Sequence, residues 1–267
     1  MAGNKSDNRI RNVRCFLLDM DGTLYLGDHL LPGAKELIIF LNNKKIQYLY
    51  LTNNSSKSAR DYQQKLHGLG IDEPKEKILT SGEATCLYLQ KNKLDARVFL
   101  AGTLALKEEF LFHGFNLVQE KPDIVVLGFD TTITYKKLWM VCDFLRDGLP
   151  YIATHPDINC PTDGGGFMPD IGAMIAFVAA STGRQPDVII GKPNKTMLEA
   201  VMIKTGVPLK QIAIVGDRLY TDVAMGQAGI YTILVLSGET TIEEAQHSHY
   251  QADLIINDLA DLISRMA

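Results

Sequence analysis

The chain is sparing with cysteine. It has four, Cys15, Cys86, Cys142 and Cys160, and no pair stands at Cys-x-x-Cys spacing. That argues against a thiolate metal site or a disulfide framework, and the thiols are most simply reduced, partly buried side chains of a cytoplasmic protein. The Asn-x-Ser/Thr matches at Asn53, Asn54 and Asn194 then carry no glycosylation meaning. Tryptophan is nearly absent: Trp139 and the tyrosines at 48, 50 and 62 stand at helix and strand spacings expected of packing residues, with no stacking role implied. Long apolar runs are missing as well. The nearest, Ile171 to Ala180, is far shorter than the ~18 residues of a membrane span. The polar, basic stretch from Asn4 to Asn12 lacks the apolar centre of a signal peptide. Nor is there a basic excess. With 27 Lys and Arg against 31 Asp and Glu, a net charge of −4 and a pI near 5.9, the composition is not that of a nucleic-acid binder.

What is there is a chain of 267 residues with 46% hydrophobic and 22% charged content, which makes a folded globular protein of one or two domains. Four apolar runs stop abruptly at polar groups. Val13 to Leu18 reads as a buried strand leading into Asp19-Met20-Asp21-Gly22-Thr23, so two carboxylates stand just past its end. Strand ends in open parallel α/β sheets converge on the crevice where ligands bind. An aspartate there serves as nucleophile, metal ligand or both; the plainer reading is a turn with a capping aspartate. Gln47 to Thr52 reads as a second strand, ending in Thr52-Asn53-Asn54-Ser55-Ser56. Thr52 and Asn53 can hold phosphate oxygens, and Ser55 or Ser56 can N-cap the following helix, whose N–H groups favour anions; ordinary capping explains the same residues.

Val188 to Ile190 is a short buried strand by its composition and ends at Gly191-Lys192-Pro193. Lys192 would fit a nucleotide-binding phosphate loop, but Pro193 stands where Ser or Thr should follow and the upstream glycine spacing fails, so that motif is rejected. The fourth run, Gln211 to Val215, leads into Gly216-Asp217, with Asp222 five residues beyond Asp217. Asp217 is a natural oxygen ligand for a hard divalent ion, and Mg²⁺ takes one or two carboxylates plus a substrate phosphate in octahedral geometry. Asp222 falls near the start of the next helix, where it caps the helix, supports the site, or does both.

Taken in order, these segments resemble the four motifs of the haloacid dehalogenase superfamily of aspartate-nucleophile phosphatases, matched at Asp19 to Thr23, Thr52, Lys192, and Gly216 to Asp222. The resemblance implies an α/β fold: a doubly wound, parallel, Rossmann-like core sheet with a smaller inserted α/β cap. Spacing agrees, since Thr52 and Lys192 lie 140 residues apart where one βα unit takes roughly 30. The core is expected over residues 1–80 and 186–267, and the cap over 81–185. Cap strands are expected at Ala96 to Ala101, Ile124 to Phe129 and Tyr151 to Thr154, with helices over Leu104 to His113, Lys136 to Asp147 and Gly172 to Ser181. The last core strand is expected at Thr232 to Leu236, with Leu254 to Ile256 an edge.

Within the superfamily the chain resembles the branch that includes NagD, p-nitrophenyl phosphatase and pyridoxal phosphate phosphatase. The shared segments are Leu24 to Asp28 with Pro32-Gly33, and Ala153-Thr154-His155-Pro156-Asp157 followed by a glycine-rich turn. One residue departs: the branch usually has Asn where His155 stands. His155 either contacts the leaving group or senses pH, or it bonds to loop carbonyls as a structural residue. Asp157, Asn159 and the Gly164-Gly165-Gly166 loop are the better candidates to line the cap side of the site, because loops on rigid scaffolds carry specificity; the triple glycine serves equally as a plain turn.

The mechanism implied has Asp19 attack phosphorus in line to form an aspartyl-phosphate. Asp21 protonates the leaving oxygen and then activates the hydrolytic water. Asp19, the Asp21 carbonyl and Asp217 hold Mg²⁺, while Thr52, Asn53 and Lys192 cradle the phosphate. A phosphate monoester meeting three aspartates is repelled unless Mg²⁺ and Lys192 reverse the local sign. A capped site points to small phosphates: sugar phosphates, nucleoside monophosphates, glycerol or glycolate phosphate, or pyridoxal phosphate. The resemblance also allows two copies to pair through the cap as a homodimer. The alternatives are a phosphomutase or phosphotransferase on the same fold and a non-hydrolytic phosphorylation switch. A dehalogenase needs neither Asp21 nor Asp217, and a receiver-type switch has half this length and no cap.

Overall fold

The computed structural model describes residues 9–162 and 165–267. By the density of internal contacts the chain forms two compact units, Met1–Leu51, Gln63–Leu79 and Val201–Ala267 in the first, Thr52–Tyr62 and Thr80–Ala200 in the second. The strands are, in chain order, β1 (Cys15–Asp19), β2 (Tyr25–Leu26), β3 (His29–Leu30), β4 (Gln47–Thr52) and β5 (Ile78–Thr80). Next come β6 (Arg97–Ala101), β7 (Asn116–Leu117), β8 (Ile124–Leu127), β9 (Tyr151–Ala153), β10 (Asn159–Pro161), β11 (Phe167–Pro169) and β12 (Val188–Ile189). The last are β13 (Ile212–Gly216), β14 (Tyr231–Val235) and β15 (Leu254–Ile256). No helix among the described residues is long and apolar enough to cross a membrane.

The first unit is built on a six-stranded sheet in the order β15-β14-β13-β1-β4-β5. The pairings from β15 through to β4 are parallel. From β1 the chain winds outward to one side through β4 and β5, then returns to wind outward on the other through β13, β14 and β15. That is the doubly wound order, and its topological switch point lies between β1 and β13. Both strands are buried along their whole length, as strands covered on both faces must be, and their sequences are continuous apolar runs for the same reason. Helix Ala34–Lys44 buries Ala34, Leu37, Ile38 and Leu41, one stripe at helical period, and packs beside helix Leu259–Met266.

The second unit has its own parallel five-stranded sheet, ordered β12-β9-β8-β6-β7. Its core joins Phe99, Val125, Leu127 and Tyr151 from the strands to Val141, Leu145, Ile171 and Val178 from two covering helices, Tyr135–Arg146 and Ile171–Thr182. Here the winding reverses between β6 and β8, giving a second switch point. The chain's own Ser55 and Ser56 occupy it. Ser55 Oγ accepts the Phe129 N–H at 2.9 Å, and Thr103 Oγ1 donates to the Ser56 carbonyl at 2.8 Å, just past the ends of β8 and β6.

The expected strands and helices of residues 96–182 appear within a residue or two, as do β14 and the edge strand β15. Three readings need correction. Ser55 and Ser56 do not cap the following helix; Ser58 does, its Oγ accepting the Asp61 N–H at 3.3 Å while Asp61 reaches back to the Ser58 N–H. Val188–Ile189 is a half-buried edge strand, since among the described residues only β9 pairs with it. Trp139 is 60% exposed: helix Tyr135–Arg146 buries the Val141, Cys142 and Leu145 face, and Trp139 lies on the other. The helix Ser81–Asn92 and the hairpin β10–β11 were not anticipated.

Candidate active site

Asp19 closes β1, and Asp217 follows β13 by one residue. Leu18 pairs in register with Val215, so Asp19 stands level with Gly216 and Asp217 comes one residue further along, both at the switch point. Asp222 joins them from the turn that follows. Oxygens of Asp19, Asp217 and Asp222 all lie within 4.8 Å of one another, and all three residues are buried. Glycines make the room. A Cβ on Gly216 would stand 2.2 Å from Asp222 Cγ, and one on Gly22 would stand 2.3 Å from Asp217 Oδ2. Gly22 also has φ +84°, a conformation that side chains disfavour.

Asp217 is held on both oxygens. Thr23 Oγ1 donates to Oδ1 at 3.4 Å and the Glu239 N–H donates to Oδ2 at 2.7 Å. Burial, followed by the negative charges of Asp19 and Asp222, pushes its carboxyl from 3.8 up to about 8. Three buried carboxylates with a proton retained at neutral pH form a site short of positive charge. The donor set is oxygen only, which fits a hard divalent cation such as Mg²⁺ and does not fit a thiophilic metal. Asp222 meets none of the expectations of a helix cap: it makes no side-chain cap bond, and its Oδ2 instead accepts the Arg218 N–H at 3.2 Å. Asp21 differs from the cluster. Its side chain is 51% exposed, with the Tyr25 hydroxyl donating to it at 3.4 Å and Lys65 Nζ forming an ion pair at 3.8 Å.

In the second unit, Thr52, Asn53 and Lys192 are all buried. Asn53 Oδ1 accepts the Lys192 N–H at 2.7 Å, and its Nδ2 donates to the Lys192 carbonyl and to Asp157 Oδ1, both at 3.0 Å. His155 is fully buried. Its Nε2 pairs with Asp170 Oδ1 at 3.0 Å, and its Nδ1 faces Thr154 Oγ1 at 3.1 Å and Ser81 Oγ at 3.3 Å.

Two family models match the chain, one described as haloacid dehalogenase-like hydrolase over residues 16–116 and one as HAD-hydrolase-like over 189–262. A curated acid sugar phosphatase of Staphylococcus haemolyticus is 36% identical, over 96% of this chain and 98% of that protein. The chain belongs to the haloacid dehalogenase-like hydrolases. Among solved structures of the family, the 4-nitrophenylphosphatase of Thermotoga maritima aligns at TM-score 0.93 and 47% identity, covering 96% of this chain and 98% of that one. A putative NagD protein aligns at 0.89 and 46%, covering 95% and 98%. This chain is therefore a phosphatase of the NagD-like branch.

The fold of this phosphatase unites Asp19, Asp217 and Asp222 in one cluster, and Asn53, Lys192 and Asp157 in another network. His155 is bonded to the side chains of Asp170, Thr154 and Ser81, which surround the ring, instead of the loop carbonyls expected for it. Asp157 is 8% exposed and bonded to Asn53, whereas Asn159 stays exposed on β10. Gly164 lies outside the described residues. Sequence reasoning missed Gly238 and Glu239. A Cβ on Gly238 would stand 2.2 Å from Asp217 Oδ2, and Glu239 both bonds Asp217 through its N–H and pairs with Arg218 Nε at 2.9 Å. Their only signal was a Gly-Glu pair shortly after an apolar strand.

Proposed function

We propose that this phosphatase hydrolyses small phosphate monoesters, with sugar phosphates the first class to test, through an aspartyl-phosphate on Asp19. The observation that carries the reading is the buried Asp19, Asp217 and Asp222 cluster at the switch point of the first sheet. Its support for Mg²⁺ is its chemistry: oxygen donors, burial, and a carboxyl that burial and the charges of Asp19 and Asp222 push up to about 8. Asp19, Asp217 and the Asp21 carbonyl would hold the ion, with Asp222 fixing the turn around it. When bound, Mg²⁺ neutralises charge on the transferring phosphoryl oxygens.

The chain's own residues divide the rest. Asp19 supplies the attacking oxygen as the alcohol departs. The exposed Asp21 gives that leaving oxygen a proton and later takes one from the water that cleaves the acyl-phosphate. Lys192 and Thr52 are assigned to the phosphoryl oxygens. Residues 81–185 are read as the cap that selects the leaving group, with Asn159 its exposed polar candidate. The sugar-phosphate assignment draws on the name of the staphylococcal relative.

Phosphate release from a panel of sugar phosphates, nucleoside monophosphates, glycerol phosphate and pyridoxal phosphate, with and without Mg²⁺, tests the reading. Turnover that requires Mg²⁺ and disappears in Asp19→Asn supports it. A folded Asp19→Asn protein with full activity would remove the covalent mechanism.

A further inference from the structure

Asn53 stands beside Thr52 in the segment first read as a phosphate cradle, yet its side chain is already committed. An amide offers one oxygen and two N–H donors. Here the oxygen takes the Lys192 N–H at 2.7 Å, and the nitrogen serves the Lys192 carbonyl and Asp157 Oδ1 at 3.0 Å each. Both N–H donors are spent on protein. Only one orientation of the amide satisfies the set, because a carboxylate accepts and cannot donate, so Asp157 dictates which end faces Lys192 N–H. The packing leaves no slack. A Cβ on Gly191, the residue before the lysine, would meet Asn53 Oδ1 at 2.6 Å, His155 Cβ at 2.5 Å and the Thr154 carbonyl at 3.0 Å. His155 is pinned behind it by Asp170.

We propose that Asn53 is a positioning residue: its amide clamps both faces of the Lys192 backbone, with Asp157 as the orienter, and so fixes where the lysine side chain starts. This rests on the reading of Lys192 as a phosphate ligand. The clamp matters because a cationic side chain helps an in-line phosphoryl transfer only from the correct origin, and a displacement near 1 Å can cost about 10²-fold in rate. Fixing the backbone at both its N–H and its carbonyl removes that freedom before substrate arrives.

The test is a double-mutant cycle on the full chain, with p-nitrophenyl phosphate and Mg²⁺ as the probe: wild type, Asn53→Ala, Lys192→Ala and the double variant. A clamp acting through Lys192 predicts a fall in kcat of about 10- to 100-fold for Asn53→Ala. In the Lys192→Ala background it predicts a further loss of no more than about 2-fold, because sites that share one role are not additive. Losses that multiply in the double variant would place Asn53 on the substrate and overturn the proposal; so would a wild-type kcat and KM in Asn53→Ala. Full activity in Lys192→Ala alone would instead overturn the phosphate-ligand reading beneath it.

If Asn53→Ala melts too early to assay, Asn53→Asp decides. That change keeps shape and the acceptor for Lys192 N–H but loses both donors and faces the Asp157 charge. The clamp predicts low kcat, with partial recovery, about 10-fold, when Asp157→Asn is added to restore a donor between the two positions. Absence of recovery in a folded double variant would refute the orienting role.

Discussion

Removing the titrating carboxyl of Asp217 should flatten the pH dependence of stability. In the folded chain its carboxyl keeps a proton up to about pH 8, whereas the unfolded chain releases it near 3.8. Folding therefore takes up a proton throughout that window, and metal-free stability falls as pH rises across it. Asp19 and Asp222 supply the negative charge that, after burial, holds this proton on Asp217. One proton is worth about 1.4 kcal/mol per pH unit, which makes the loss from pH 5.5 to 7.5 on the order of 3 kcal/mol. For a chain of this size that is roughly 5–10 °C in melting temperature. Asp217 is 2% exposed, so solvent screening takes little from the figure. The assay is thermal unfolding of wild type and Asp217→Asn in EDTA at the two pH values. Asparagine disturbs the bonds from Thr23 and Glu239 at every pH, so the quantity to read is how the difference between the two proteins changes with pH. Wild type should lose its advantage, or fall further behind the variant, by roughly 5–10 °C between pH 5.5 and 7.5. Saturating Mg²⁺ should raise the wild-type melting temperature more at pH 7.5, where a cation replaces the missing charge. A difference that stays flat with pH would refute the electrostatic account of the cluster.

Two further outcomes follow from the same site. Asp21→Asn should lower kcat by about 10²- to 10⁴-fold on an alkyl phosphate, the usual range for a lost general acid. The loss should be smaller for p-nitrophenyl phosphate, whose phenolate departs without a proton, and equal losses on the two would argue against the acid role. Gly22→Ala should lower the melting temperature and reduce activity together, since its backbone is at φ +84° and the added carbon would stand 2.3 Å from Asp217 Oδ2. Strain of this kind costs about 1–3 kcal/mol. A variant with unchanged melting and activity would mean that the turn has slack the packing denies.

Much of this was legible in the chain because the winding of an α/β sheet is written in apolar runs that end in polar residues. β1, β4 and β13 are continuous enough to read directly, and their ends carry the chemistry. The carboxylate cluster followed from knowing that two such ends meet at a switch point. What could not be read is what packing decides. Ser55 and Ser56 look like caps, yet a hydroxyl at the end of a strand serves whichever unpaired backbone group is nearest, and here that is Phe129 N–H of another sheet. Trp139 looks like core because aromatic residues usually are, but the helix period places it opposite Val141 and Leu145. His155 and Asn53 carry polar groups of the kind that bind ligands, and only the neighbours brought by folding, Asp170, Asp157 and the Lys192 backbone, reveal that those groups are spent. The short hairpin β10–β11 leaves too few residues to show a period.

The most direct test of the account is to acid-quench the enzyme during turnover of a good substrate with Mg²⁺ and map any bound phosphoryl group by mass spectrometry of its peptides. One phosphoryl group is expected, carried on the peptide containing Asp19 and labile to hydroxylamine, and none in Asp19→Asn. A phosphoryl group on another residue, or rapid turnover with none on Asp19, would contradict it.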